Sequence, residues 1–136
     1  MNGQNCSREE VEDILGRIKR CVAAGHFTVS LNRNRQENID FISEYNIRDS
    51  RQKSIIMGLK VEDFCHSTPN RNSGYEDEIL YIFAPHVILY NADGEEETVA
   101  VYMKFNLISR PRGEYTVVIS FHKLNYPIQY MFRQGG

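Results

Sequence analysis

No run of apolar residues in this chain approaches the roughly 20 that a membrane-spanning helix needs. The opening stretch, Met1 to Arg8, is polar and lacks the apolar core of a secretory leader. Cysteine is scarce and odd in number: Cys6, Cys21 and Cys65 lie far apart, with no C-x-x-C pair among them. That argues against a disulfide framework and a zinc knuckle and for a reducing compartment, so the expected location is cytoplasmic, with no membrane partner. No H-E-x-x-H or other tight ligand spacing is present. A metal hydrolase would have to recruit the scattered His66, His86 and His122. Nothing repeats internally, and no linker divides the 136 residues.

What is present is an ordinary globular composition, 41% hydrophobic and 25% charged. The length suits a single domain with a real core. The net charge of −2 weighs mildly against a nucleic-acid binder, because phosphate contacts need cations. The charge is uneven, however. Between Glu76 and Glu97 there is no Lys or Arg, whereas from Tyr102 onward Lys104, Arg110, Arg112, Lys123 and Arg133 face Glu114 alone. A basic sheet beside an acidic rim can hold RNA locally; equally, both are what solvated surface looks like.

The pattern divides into a helical half at about 7–66, a loop at about 67–78 and an antiparallel sheet at about 79–132, within one domain over 1–136. Ser7 and Glu10 form a capping box, followed by an apolar stripe at Val11, Ile14, Leu15, Ile18 and Val22 and a stop at Gly25. His26 to Leu31 reads as a short strand, and Asn32 to Arg35 as a turn with a basic edge. A second helix is expected over Gln36 to Tyr45, burying Ile39, Ile42 and Tyr45. A third is expected from near Asp49, with Gln52 as capping partner and an apolar face continuing from Ile55, Ile56 and Leu59 to Phe64. Ser67 to Gly74 has little to bury. Ile79 to Tyr90 then begins the β half, bent at Pro85, and Asp93-Gly94 and Arg110 to Gly113 make turns. The fold class is therefore α+β, with N-terminal helices packed on a meander of three or four strands.

Side chains on a strand alternate between faces. Val99, Val101, Met103, Phe105 and Leu107 should face one way, and Tyr102, Lys104 and Asn106 the other. In the last strand Tyr115, Val117, Ile119 and Phe121 should face the core, and Thr116, Val118, Ser120 and His122 should face out. Pairing about the Pro111-Arg112 turn sets Tyr102 opposite Ser120 or His122. Tyr102, Lys104, Ser120 and His122 then form one polar patch. An antiparallel sheet commonly has such a wet face without any function attached to it.

Three stretches carry a resemblance. Ile56-Met57-Gly58-Leu59-Lys60-Val61-Glu62-Asp63-Phe64, Val101-Tyr102-Met103-Lys104 and Ile119-Ser120-Phe121-His122, with Asn125-Tyr126-Pro127, Tyr130 and Phe132 after them, resemble the MqsR-type toxins of type II toxin–antitoxin systems. These are ribonucleases of the broad RelE-like fold. The likeness runs in order from about Glu9 to Phe132. It implies an mRNA-cleaving enzyme, on or off the ribosome, that needs no cofactor and is neutralised by a cognate antitoxin. Carried over by residue, it puts Tyr102 on a catalytic tyrosine. His66 and His122 stand where some members have lysine, a departure that bears on mechanism and pH optimum, as does the low net charge.

Metal-free RNA cleavage requires a base for the 2′-hydroxyl, an acid for the leaving 5′-oxygen and cations for the charge on phosphorus. Histidine serves as either acid or base near neutrality. The expected site therefore has His66 and His122 sharing the proton transfers and Tyr102 orienting the reacting groups. Lys104 and Arg71 neutralise the phosphate beside Ser120, and Tyr81 or Tyr75 stacks on a base. Two rivals remain. One is a Cys65 nucleophile paired with His122. The other is a non-catalytic binding module, an antitoxin or immunity-type protein, using the strand Ile79 to Tyr90 to accept a partner's strand.

Overall fold

The computed structural model describes residues 6–133; Met1 to Asn5, part of the polar opening stretch, lie outside the described residues. The protein is α+β. Among the described residues three α-helices, α1 (Arg8–Ala23), α2 (Gln36–Glu44) and α3 (Asp49–Met57), accompany six strands. The strands are β1 (Phe27–Val29), β2 (Phe64–Pro69), β3 (Ile79–Phe83), β4 (His86–Tyr90), β5 (Glu96–Arg110) and β6 (Gly113–Lys123).

The capping box forms as the sequence indicates. The Ser7 hydroxyl accepts from the Glu10 N–H at 3.0 Å, and the Ser7 N–H donates to the Glu10 carboxylate at 2.7 Å. The expected stripe of α1 is buried, with Cys21 added to it. Gly25, at φ 78°, follows the helix end. Elsewhere the helices differ from expectation. On α2 the buried residues are Asn38 and Phe41 rather than Ile39 and Ile42, although Tyr45 just beyond it is buried. Gln52 does not cap α3; its amide donates inward to the Ile47 carbonyl at 2.9 Å.

The sheet is larger than three or four strands and is mixed. Its order is β1-β6-β5-β3-β2, with β4 also on β5. Three physical reasons account for the difference. First, Ile79 to Tyr90 is two strands, because the chain breaks at Ala84-Pro85; the long β5 accepts β3 along Met103–Asn106 and β4 along Glu96–Ala100. Second, Phe64–Pro69 leaves the helical region at a 3₁₀ turn, Val61–Asp63, and becomes edge strand β2 antiparallel to β3, so the loop begins at Asn70 rather than at 67. Third, β1 pairs with β6 in parallel, Phe27 with Thr116 and Val29 with Val118, so the helical half supplies two strands.

On one face the helices bury Val101, Met103 and Phe105 of β5 together with Phe83, Val118 and Phe121. A second, smaller cluster of Cys65, Ile82, Ala84 and Tyr102 lies apart from it, covered by Leu124, Ile128 and Tyr130 of the C-terminal tail. The β6 alternation is shifted by a bulge. Lys104 pairs with Ser120, but Phe105 pairs with Val118, leaving Ile119 as the extra residue. Below the bulge the expected faces are therefore exchanged: Thr116 and Val118 are buried, while Tyr115 and Val117 are partly exposed.

Candidate functional site

β5 and β6 set Tyr102 directly opposite His122 and Lys104 opposite Ser120. The rings of Tyr102 and His122 stack at 5.3 Å with an interplanar angle of 26°. Register continues the row across the sheet. Lys104 is paired with Ile82, and Ile82 with His66, so His66, Ile82, Lys104 and Ser120 align over β2, β3, β5 and β6. His66 and Lys104 are thus two strand spacings apart at the backbone, about 10 Å, and His66 and Ser120 about 14 Å, with His122 two residues further along β6 at about 16 Å.

The bulge that aligns Ser120 and His122 with Lys104 and Tyr102 is held by Asn38. β1 covers the edge of β6 only as far as Val118. Beyond it, the Asn38 amide donates to the Ile119 carbonyl at 3.0 Å and to the Ser30 carbonyl at 2.9 Å, while its oxygen accepts the Phe121 N–H at 2.8 Å. One side chain stands in for the missing neighbour strand. It also fixes the start of α2, from which Arg35 and Glu37 reach the site.

Lys104 is the electrostatic centre. Burial lowers its ammonium pKa, and the nearby Arg35 lowers it further. Arg35, Arg71 and Lys104 together line a cavity of about 180 Å³ with Thr68, Asn70 and Asn72. Among the described residues, none of these three cations has a carboxylate within salt-bridge distance. The loop that carries Arg71 is pinned. Asn70 and Asn106 both donate to the Glu78 carboxylate at 3.0 Å, and the Asn70 N–H donates to the Glu78 carbonyl at 2.8 Å.

The His66 pKa is lowered, chiefly by burial and then by Lys104, so its imidazole is neutral at pH 7. His122 Nδ1 lies 2.9 Å from the Lys123 carbonyl, and only a protonated nitrogen can donate there. Nε2 is therefore its free working atom, 3.9 Å from Glu37 Oε1. Tyr102 is deeply buried, 6% exposed, with the Tyr126 ring 5.8 Å away. Burial, followed by the Tyr126 hydroxyl, pushes its phenol pKa up, so it remains a neutral hydrogen-bonding group.

Not every expected residue joins the site. Tyr81 pairs with Phe105 and packs against the helix-side core, because it alternates with Leu80 and Ile82; it lies on the wrong face to stack on a base beside Lys104. Tyr75 is exposed on the loop. His66 belongs to a strand rather than a helix end. Cys65 is buried and its thiol is pushed up to about 12 by desolvation, which removes it as a nucleophile. Among the described residues, no group of three or more His, Cys, Asp or Glu side chains is placed to hold a metal ion, so His66, His86 and His122 do not form a ligand set. Arg35 and Asn38 were missed by sequence reasoning. The basic edge of Asn32 to Arg35 was the only signal for the first, and a polar residue on a helix stripe the only one for the second. No helix among the described residues is long and apolar enough to cross a membrane. Comparisons with protein families, with curated proteins and with solved structures found no match to this chain.

Proposed function

We propose that the sheet face carrying His66, Tyr102, Lys104 and His122 binds single-stranded RNA and cleaves it without a metal. The protein would be a cytoplasmic RelE-like toxin of the MqsR type, held in check by a cognate antitoxin. The observation that carries this reading is the Lys104–Arg35–Arg71 cavity. Half-burying a cation beside another, with no counter-carboxylate, is unfavourable unless an anion completes the site. His66 and His122 line neighbouring hollows rather than this one, and a phosphodiester reaching from it along the sheet face would meet both imidazoles. Neutral His66 accepts the 2′-hydroxyl proton as the 2′-oxygen bonds to phosphorus. The bond from phosphorus to the 5′-oxygen breaks, and His122 Nε2 delivers a proton to that oxygen. The products are a 2′,3′-cyclic phosphate and a free 5′-hydroxyl, and Lys104, Arg35 and Arg71 neutralise the charge in between. Tyr102 holds the His122 ring by stacking and acts as a positioning residue.

The test is incubation of labelled single-stranded RNA in EDTA, with and without ribosomes, using wild type, His66→Ala and His122→Ala. Cyclic-phosphate ends from wild type, reduced at least a hundredfold in each variant, are expected. No cleavage under either condition overturns the reading. In that case a binding module is the better account, and β4 favours it. Among the described residues β4 pairs only with β5, and it exposes Ile88 and Tyr90 at 50% and 58% along a strand that a partner could extend.

A further inference from the structure

Past the end of β6 the chain turns back over the face that carries Tyr102. It is fastened at both ends of this crossing. The Leu124 N–H donates to the Ala100 carbonyl at 2.9 Å. At the far end the Tyr130 hydroxyl donates to the Ala84 carbonyl at 2.6 Å and the Met131 N–H to the Phe64 carbonyl at 3.1 Å. Arg133 adds bonds to the Glu62 carbonyl and the Asp63 carboxylate. Between these fastenings Tyr126 and Ile128 pack against the cluster around Tyr102, and the tail together with β2 encloses a cavity of about 560 Å³, walled by Cys65, His66, Tyr126, Ile128, Gln129 and Tyr130.

This cavity and the cationic one have opposite chemistry. Among the described residues no Lys, Arg, Asp or Glu lines the space under the tail, whereas Arg35, Arg71 and Lys104 surround the other. They are linked by the row already described: His66 walls the first, and Lys104, its neighbour but one across the sheet, walls the second. A cationic hollow beside a neutral, aromatic one is the shape of a nucleotide, phosphate in one and base in the other. Tyr126 is half exposed and offers a ring to a base, and Gln129 is an exposed amide carrying both a donor and an acceptor for a base edge.

We infer that the cavity beneath the C-terminal tail is a nucleobase subsite, which takes the base adjoining the phosphate held by Lys104, Arg35 and Arg71. The inference rests on the ribonuclease reading and adds to it the source of any sequence preference: the tail, through Tyr126 and Gln129.

The experiment is calorimetric titration of the full chain with the four nucleoside 3′-monophosphates and, as a probe without a base, ribose 5-phosphate. At least one nucleotide is expected to bind tenfold or more tightly than ribose 5-phosphate. Gln129→Ala and Tyr126→Leu should shrink that ratio to below threefold while leaving the affinity for ribose 5-phosphate unchanged. Gln129 is exposed and makes no bond on which folding depends, so its variant reads the subsite alone. Equal binding of all five ligands, or none by any, overturns the subsite. RNA cleavage by the same preparations separates the two ideas. Cleavage without base preference removes the subsite and leaves the ribonuclease. Base preference without cleavage keeps the subsite and removes the ribonuclease.

Discussion

Lys104 is placed where an ammonium is least comfortable, partly out of water and facing Arg35. Methionine has nearly the same length and no charge. Lys104→Met is therefore expected to gain about 0.5–1 kcal/mol of stability in urea titrations while weakening RNA binding at least tenfold. A lysine kept only for solubility would show neither effect, so loss of stability in this variant counts against an anion site. His66 makes a second residue-scale prediction. Its folded pKa is below the unfolded value of about 6.5, so the native state binds fewer protons than the unfolded chain on the acid side. Above that pH both states are neutral there and His66 contributes nothing. As pH falls through 6.5 toward the lower folded value, stability is lost. The urea midpoint of wild type should drop between pH 7.5 and 5.5, and that of His66→Asn should drop less. A parallel decline would sink the idea.

At the scale of elements, β6 shows what a strand needs when its neighbour stops short. Asn38 satisfies three backbone groups at that edge. Asn38→Ala leaves a buried N–H and two carbonyls without those bonds and is expected to cost about 3 kcal/mol in chemical denaturation. It should also slow cleavage, because the bulge aims His122. Ser7→Ala, which removes only the α1 cap, should cost about 1 kcal/mol and leave cleavage unchanged. The same elements show how much could be read from the sequence. The α1 capping box was legible because it is local. That Tyr102 faces Ser120 or His122 was legible from alternation, but the choice of His122 is set by the bulge. β2 was not, because Phe64 and Cys65 continue the apolar face of α3 and its strand character comes only from β3 beside it. The exchanged faces of Thr116 to Val118 were hidden for a similar reason: a single bulged residue, Ile119, carries no mark in the sequence. Arg35 reaches the site only through the placement of α2, a tertiary fact.

For the whole molecule, the net charge of −2 hid a local concentration of cations. RNA would be gripped by few contacts rather than by a broad basic field. If Arg35, Arg71 and Lys104 are the three phosphate contacts, log affinity for single-stranded RNA should fall with log salt at a slope of about −2. A slope of about −5 or steeper, measured by fluorescence anisotropy, would point to a different and wider surface.

The parallel pair of β1 with β6 joins the front of the fold to its last strand, Phe27 against Thr116. During synthesis the earlier strand emerges with no edge to join and must wait for the chain as far as β6. His122 and Ser120 arrive on β6, so the two halves of this face meet only once the chain has been made that far. If the protein cleaves messages as proposed, it would in this way be inert until β6 of its own chain has been made.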